Sequence, residues 1–143
     1  EQRRAVAEPF ETEGFSIPIT TVSMGNPHAI FFVDDLNKIE LEEIGPVIET
    51  DKRFPEKTNV EFVQVMSDHE LTMKVWERGA GITLACGTGA CAVLVAAFLN
   101  KKTDRAATIH LPGGDLFVEW NSKDGCVYKT GPANLVFKSD IEV

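Results

Sequence analysis

An α+β fold, strand-rich and wrapped around one buried helix, is what this 143-residue sequence predicts, on three observations. The segment TGACAVLVAAFL, from Thr88 to Leu99, carries no charge on any face. No amphipathic stripe can be drawn on it, and a helix apolar all round is buried all round. Short runs on either side alternate apolar and polar residues, the period of strands. Turn-forming clusters separate those runs, with no internal repeat and no low-complexity linker. The expectation is one domain over residues 1–143: a mixed or antiparallel sheet, or an open barrel, around a helix at about residues 87–100, with a short surface helix near 39–50.

The elements follow in order. After a polar opening, IPITTVSMG (17–25) alternates, and HAIFFVDD (28–35) reads as a buried strand ended by two aspartates; Gly25-Asn26-Pro27-His28 joins them as a turn. Residues 39–50, IELEEIGPVIET, carry apolar positions near the helical period, with a break or restart expected at Gly45-Pro46. TNVEFVQVM (58–66) and ELTMKVW (70–76) are strands joined by an SDHE hairpin, the second placing Leu71, Met73 and Val75 on one face and Thr72, Lys74 and Trp76 on the other. The buried helix ends near Asn100-Lys101-Lys102, where an Asn and two cations suit a C-terminus. Beyond it ATIHL, GGDLFVEW, GCVYKT and ANLVFKS read as four short strands.

Composition narrows the function classes. A formal net charge of −8 and a pI near 4.8 argue against nucleic acid or an anionic membrane as partner. A small soluble ligand fits better. The apolar run from Ala90 is far shorter than the ~20 residues that span a bilayer. The stretch EQRRAVAEPFETEG has no signal-peptide core and no initiating Met, which predicts a start inside a longer gene product. Three cysteines, Cys86, Cys91 and Cys126, cannot all pair in one chain and suit a reducing cytoplasm. At roughly 100° per residue, Cys86 and Cys91 lie about 140° apart on a helix and would not face one ion.

Cys86 stands at the first turn of the buried helix, followed by Gly87-Thr88-Gly89. The first amides of a helix lack internal acceptors and carry partial positive charge, so they bind anions and pull a neighbouring thiol from about 8.5 toward neutrality. Such a site suits removal of a proton α to a carboxylate. The plain alternative is a small buried hydrophobe. Glu77 continues the face of Leu71, Met73 and Val75, where a carboxylate is out of place unless paired or bound, and Arg78 beside it can grip a carboxylate through two hydrogen bonds. A solvated strand end with a weak ion pair is the competing account. Asn26, His28 and Asn59 lie near strand or turn ends, where ligand groups often sit and turn formers sit too. His69 and His110 read as structural.

SMGNPHAIFFVDD (23–35), RFPEKTNVEFVQV (53–65), VWERGAGITLACGTGACA (75–92), LPGGDLFVEW (111–120) and TGPA (130–133) closely resemble the C-terminal half of the diaminopimelate epimerases. A bare CGTG also occurs in proline racemases and other cofactor-independent racemases; ERGAG at this distance before ACGTGACA separates the epimerases from them. Ile82 departs from the pattern, standing where many members have Glu. The resemblance implies interconversion of LL- and meso-diaminopimelate with neither pyridoxal phosphate nor metal, by two cysteines on opposite faces of the substrate α-carbon. Cys86 then matches the cysteine of the C-terminal lobe. Gly87 and Thr88 match the amides that hold the α-carboxylate; Asn26, Asn59, Glu77 and Arg78 match substrate-binding positions; His28 and Glu77 match positions that assist the cysteines. In the family the second cysteine belongs to an N-terminal lobe, in a CGNG segment heading its own helix, and nothing in this sequence reproduces it, so the chain alone is expected to be inactive and the full-length protein to be a homodimer. Three other readings stay open: another cofactor-independent racemase, a thiol hydrolase with His28 as base, and a half-domain that only binds an amino-acid carboxylate or pairs with another chain.

Overall fold

The computed structural model describes residues 5–12 and 14–142; residues 1–4, part of the N-terminal stretch read above, lie outside them. A two-stranded ribbon, β1 (Glu11–Thr12) and β2 (Phe15–Ser16), precedes the main sheet. That sheet is built from β3 (Ile19–Ser23), β4 (Pro27–Phe32), β5 (Asn59–Ser67), β6 (Glu70–Glu77), β7 (Gly81–Ile82), β8 (Ala106–Leu111), β9 (Gly114–Trp120) and β10 (Val127–Thr130). Its order is β10-β9-β8-β6-β5-β4-β3, with β7 paired to the end of β6. Two helices, α1 (Leu41–Glu49) and α2 (Gly87–Leu99), join the strands.

The sheet is mixed because two connections are crossovers. β4 pairs parallel with β5 through α1, and β6 pairs parallel with β8 through α2, since parallel neighbours cannot be joined by a hairpin. β6 runs antiparallel to β5, so two right-handed crossovers stepping the same way across the sheet place their helices on opposite faces. The result is two cores. On one face α2 meets Ile30, Val63, Leu71, Met73, Val75, Ile109 and Val118. On the other, α1 and the N-terminal segment close over Phe10, Ile19, Phe31, Val60 and Phe62. With both faces covered, β4 reads as a nearly unbroken apolar run.

The apolar helix bends the sheet around itself. α2 touches strands from β3 at one edge to β10 at the other, so the sheet is a half-barrel curled about the helix. Among its residues Ala90 and Ala92 to Ala97 are buried, while Cys91, Phe98 and Leu99 are half-exposed, so one line of the helix is not fully covered by the described residues. Burial all round, the expectation from its composition, therefore holds for most of the helix and fails along that line.

Two expectations about local structure are corrected. Helix α1 runs through Pro46 without a break. The residue before it, Gly45, has no Cβ to clash with the proline ring, and the carbonyl left without a partner belongs to exposed Glu42. Gly45 also lets the helix settle on β6: a Cβ there would lie 2.7 Å from Trp76 ring carbons. ANLVFKS forms no strand. Residues 131–142 are exposed and form no strand, with Leu135, Val136, Phe137 and Ile141 in the open.

Glu49 at the end of α1 clamps the helix to β6. Its carboxylate accepts from Trp76 Nε1 at 2.7 Å and from the Gly79 amide at 3.0 Å, with Lys57 Nζ 3.7 Å away. The indole bond is the largest of the effects that hold this carboxyl below its ordinary 4.5.

Two measurements check this packing. Gly45→Ala should destabilise the fold by about 1–3 kcal/mol through overpacking against Trp76, read as a lower urea midpoint at unchanged slope; an unchanged midpoint refutes the close-approach account. Because the folded value of Glu49 is lowered, its contribution is complete above the ordinary carboxyl value and is lost as pH falls below it. Glu49→Gln should therefore flatten the loss of stability on acidification below about pH 4.5, measured by urea unfolding across that range; an unaltered acid limb refutes it.

Candidate active site

One end of the half-barrel gathers polar side chains that the sheet directions bring together. β4 and β5 start there, β6 ends there, and α2 begins there. The parallel register pairs His28 with Asn59 and Ile30 with Glu61. The antiparallel register pairs Glu61 with Val75 and Val60 with Trp76, so Glu77 lies beside Asn59 on the face of α2. β8 takes only residues 70–72 of β6 and β7 takes residues 76–77. Residues 83–86 then lead into the helix, tied down where the Gly113 amide donates to the Leu84 carbonyl at 2.8 Å.

Cys86 is the N-cap of α2, with extended backbone at φ −130°, and is 6% exposed. Its sulfur accepts from the Gly89 amide at 3.3 Å and lies 3.6 Å from Thr88 Oγ1. The Cys86 carbonyl takes the Ala90 amide at 2.9 Å, closing the first turn. The Gly87 and Thr88 amides precede that turn and have no acceptor within the helix. The thiol is not lowered toward neutrality as the helix head alone predicts. Burial pushes it above its ordinary 9.0; the Thr88 and Gly89 hydrogen bonds pull it down, and the nearby Glu77 and Glu61 carboxyls push it up again. Desolvation wins because the sulfur is enclosed by the packed sheet.

The remaining predicted residues divide between the cluster and its rim. Asn26 Nδ2 donates to Thr88 Oγ1 at 3.3 Å, and Asn26 Oδ1 receives His28 Nε2 at 3.2 Å. His28 is 1% exposed; with both nitrogens engaged, it makes no hydrogen bond to Cys86. Asn59 stitches two strands, donating to the Pro27 carbonyl at 3.0 Å and accepting the Arg78 amide at 2.9 Å. Glu77 accepts from Thr83 Oγ1 at 2.5 Å. The Arg78 guanidinium does not pair with Glu77: it is exposed and donates to the Glu56 carbonyl at 3.1 Å. Gly87 lies against Lys129 Nζ, which is 2.3 Å from where its Cβ would stand.

Glu61 was missed by sequence reasoning. It is 0% exposed, its Oε1 is 2.6 Å from His28 Nδ1, and its Oε2 is buried with no partner. Gly89 makes room for it, because a Cβ there would stand 2.8 Å from Oε1 and 3.1 Å from the Cys86 sulfur. The available signal was a charge in phase with Asn59, Val63 and Val65 on a strand otherwise fit for burial. The other cysteines stand apart from this cluster: Cys91 is half-buried on the open line of α2 and Cys126 is exposed, both free. Among the described residues no group of three or more His, Cys, Asp or Glu is placed to hold a metal, and no helix is long and apolar enough to cross a membrane.

Comparison with known proteins places this arrangement. The chain is 57% identical over 142 residues to a diaminopimelate epimerase of Desulforapulum autotrophicum, covering 99% of this chain and 50% of that protein. It is 60% identical over 129 residues to one of Desulfitobacterium hafniense, covering 90% and 45%, and 50% identical over 143 residues to one of Methanococcus maripaludis, covering 100% and 52%. It thus spans about half the length of these curated relatives. Among solved structures, a hydroxyproline epimerase from Agrobacterium vitis superposes with a TM-score of 0.59 at 14% identity, over 85% of this chain and 43% of that one. A methylitaconate-delta-isomerase superposes at 0.56 and 16%, over 87% and 45%. At such identities the likeness is one of fold. The family model for diaminopimelate epimerase matches residues 20–136, and with that match and those relatives the chain belongs to the diaminopimelate epimerase family.

Proposed function

We propose that this chain is the C-terminal lobe of a two-lobed isomerase that interconverts LL- and meso-diaminopimelate without pyridoxal phosphate or metal. The observation that carries the reading is Cys86 at the head of α2, with an amide and a hydroxyl on its sulfur and free amides beside it. As thiolate, Cys86 takes the proton from the substrate α-carbon. The electron pair left on that carbon delocalises into the α-carboxylate, and the Gly87 and Thr88 amides stabilise the charge that grows there. A thiol from the N-terminal lobe delivers a proton to the opposite face, so the two sulfurs exchange ionisation states and the carbon inverts. Asn26, Asn59, Glu77 and Arg78 bind the two ends of the substrate around this point. Glu77 and His28 assist Cys86, with His28 acting through Asn26 and Thr88. The hydrolase reading loses support, since His28 makes no hydrogen bond to the thiol it would have to activate. Three free cysteines fit a reducing cytoplasm, and the complete protein works as a homodimer.

The partner lobe covers what this chain leaves open. Leu84 is 69% exposed two residues before Cys86, and Ile82, two residues earlier, is also exposed. Apolar surface of this kind at a helix head associates.

Two experiments test the reading. The 143-residue chain alone should take up no deuterium at the α-carbon of LL-diaminopimelate in D₂O, whereas in a protein carrying both lobes Cys86→Ser should slow uptake about 10²–10⁴-fold; uptake that survives Cys86→Ser overturns the assignment. Sedimentation velocity of the isolated chain should show concentration-dependent association, and a strict monomer at all concentrations would refute the open face.

A further inference from the structure

A hydrogen-bonded path joins the buried carboxyl of Glu61 to the sulfur of Cys86. It runs from Glu61 Oε1 to His28 Nδ1 at 2.6 Å, from His28 Nε2 to Asn26 Oδ1 at 3.2 Å, from Asn26 Nδ2 to Thr88 Oγ1 at 3.3 Å, and from Thr88 Oγ1 to Cys86 Sγ at 3.6 Å. Its direction follows from the chemistry of each group. An amide oxygen only accepts, so His28 Nε2 carries a hydrogen and donates to Asn26. Neutral imidazole then has a bare Nδ1, which needs a donor, and among the described residues the group within hydrogen-bond reach of it is Glu61 Oε1. The Asn26 amide nitrogen only donates, which leaves the Thr88 hydroxyl hydrogen free to point at sulfur.

We propose that Glu61 is a positioning residue, a buried carboxylic acid whose proton fixes the His28 tautomer and so aligns every donor of this path toward the Cys86 thiolate. The alternative, an anion facing an imidazolium, leaves Oε2 as a charged oxygen buried without a partner, which costs far more than a buried carbonyl oxygen. Burial also holds the Glu61 carboxyl above its ordinary value, more than His28 lowers it. Hydrogen bonds in such a chain polarise one another, so the far end is felt at the near one. Among the described residues, the charged groups around the helix head are Glu77 from β6 and Lys129 from β10; neither lies on the path.

The consequence for proton transfer rests on the reading of Cys86 given above, but the test does not. In the 143-residue chain labelled with ¹⁵N-histidine and ¹³Cβ-cysteine, long-range ¹H–¹⁵N correlation should find His28 protonated on Nε2 and bare on Nδ1. The Cys86 ¹³Cβ titration should shift upward by about half a pH unit in Glu61→Leu, roughly threefold less thiolate at fixed pH. Glu61→Gln, which keeps a donor to Nδ1, should restore the wild-type midpoint. If both variants instead lower the midpoint, Glu61 is an anion that opposes the thiolate, and the proposal is overturned. A protonated Nδ1 in the wild-type chain, or a Glu61→Leu midpoint that does not move, overturns it as well. Should Glu61→Leu fail to fold, the wild-type tautomer and the Glu61→Gln midpoint decide. Failure of the epimerase reading would appear in substrate exchange and leave these results untouched.

Discussion

Helix α2 has no face that water tolerates well, and the architecture is arranged around that constraint. A helix so apolar must be enclosed, and a single sheet encloses a cylinder only by curling. Strands from β3 to β10 reach the helix in that way, burying the run from Ala92 to Ala97. The same constraint aims the helix head. Because α2 lies along the axis of the half-barrel, its first turn emerges where β4 and β5 begin and β6 ends, so partial positive charge, thiol and strand-end polar groups converge there.

Polar groups at this end are held to close tolerance by one another. Asn59 links the start of β4 to the end of β6, and a displaced β5 would break both bonds at once. Two acids are treated oppositely by their surroundings. Glu49 gains an indole, an amide and a lysine and stays charged; among the described residues Glu61 faces an imidazole through Oε1 and has no partner on Oε2, and burial pushes it toward its neutral form. The contrast comes from which effect is larger: the Trp76 hydrogen bond outweighs burial at Glu49, whereas burial outweighs the imidazole contact at Glu61.

Legibility in the sequence followed the range of the interaction. The absence of charge in α2 and the alternation of Leu71, Met73 and Val75 are local, and they located the central helix and the strand beneath it. The thiol at the helix head, with Asn26, His28, Asn59 and Glu77 near it, was legible from turn and strand ends together with the family resemblance. The continuity of α1 through Pro46 rests on Gly45 before the proline and an exposed carbonyl at Glu42; what was not legible is that the same glycine faces Trp76, far along the chain. ANLVFKS has strand composition, but composition alone does not fix whether a run finds a pairing partner in the completed fold. Glu61 and the raised thiol share one cause: desolvation depends on what the completed fold excludes, and no window of sequence contains it.

The two tryptophans lie on opposite faces of one sheet. Trp76 packs with the outer core against α1, and Trp120 packs against the inner core with Phe98 and Arg105 around it. Each indole is therefore a fluorophore assigned to one face, and single Trp→Phe replacements would report separately on the melting of each core. Coincident transitions would mean that the sheet transmits order through its thickness and that the two crossovers form one cooperative unit. Separate transitions would make the face carrying α2 and the thiol a foldon of its own.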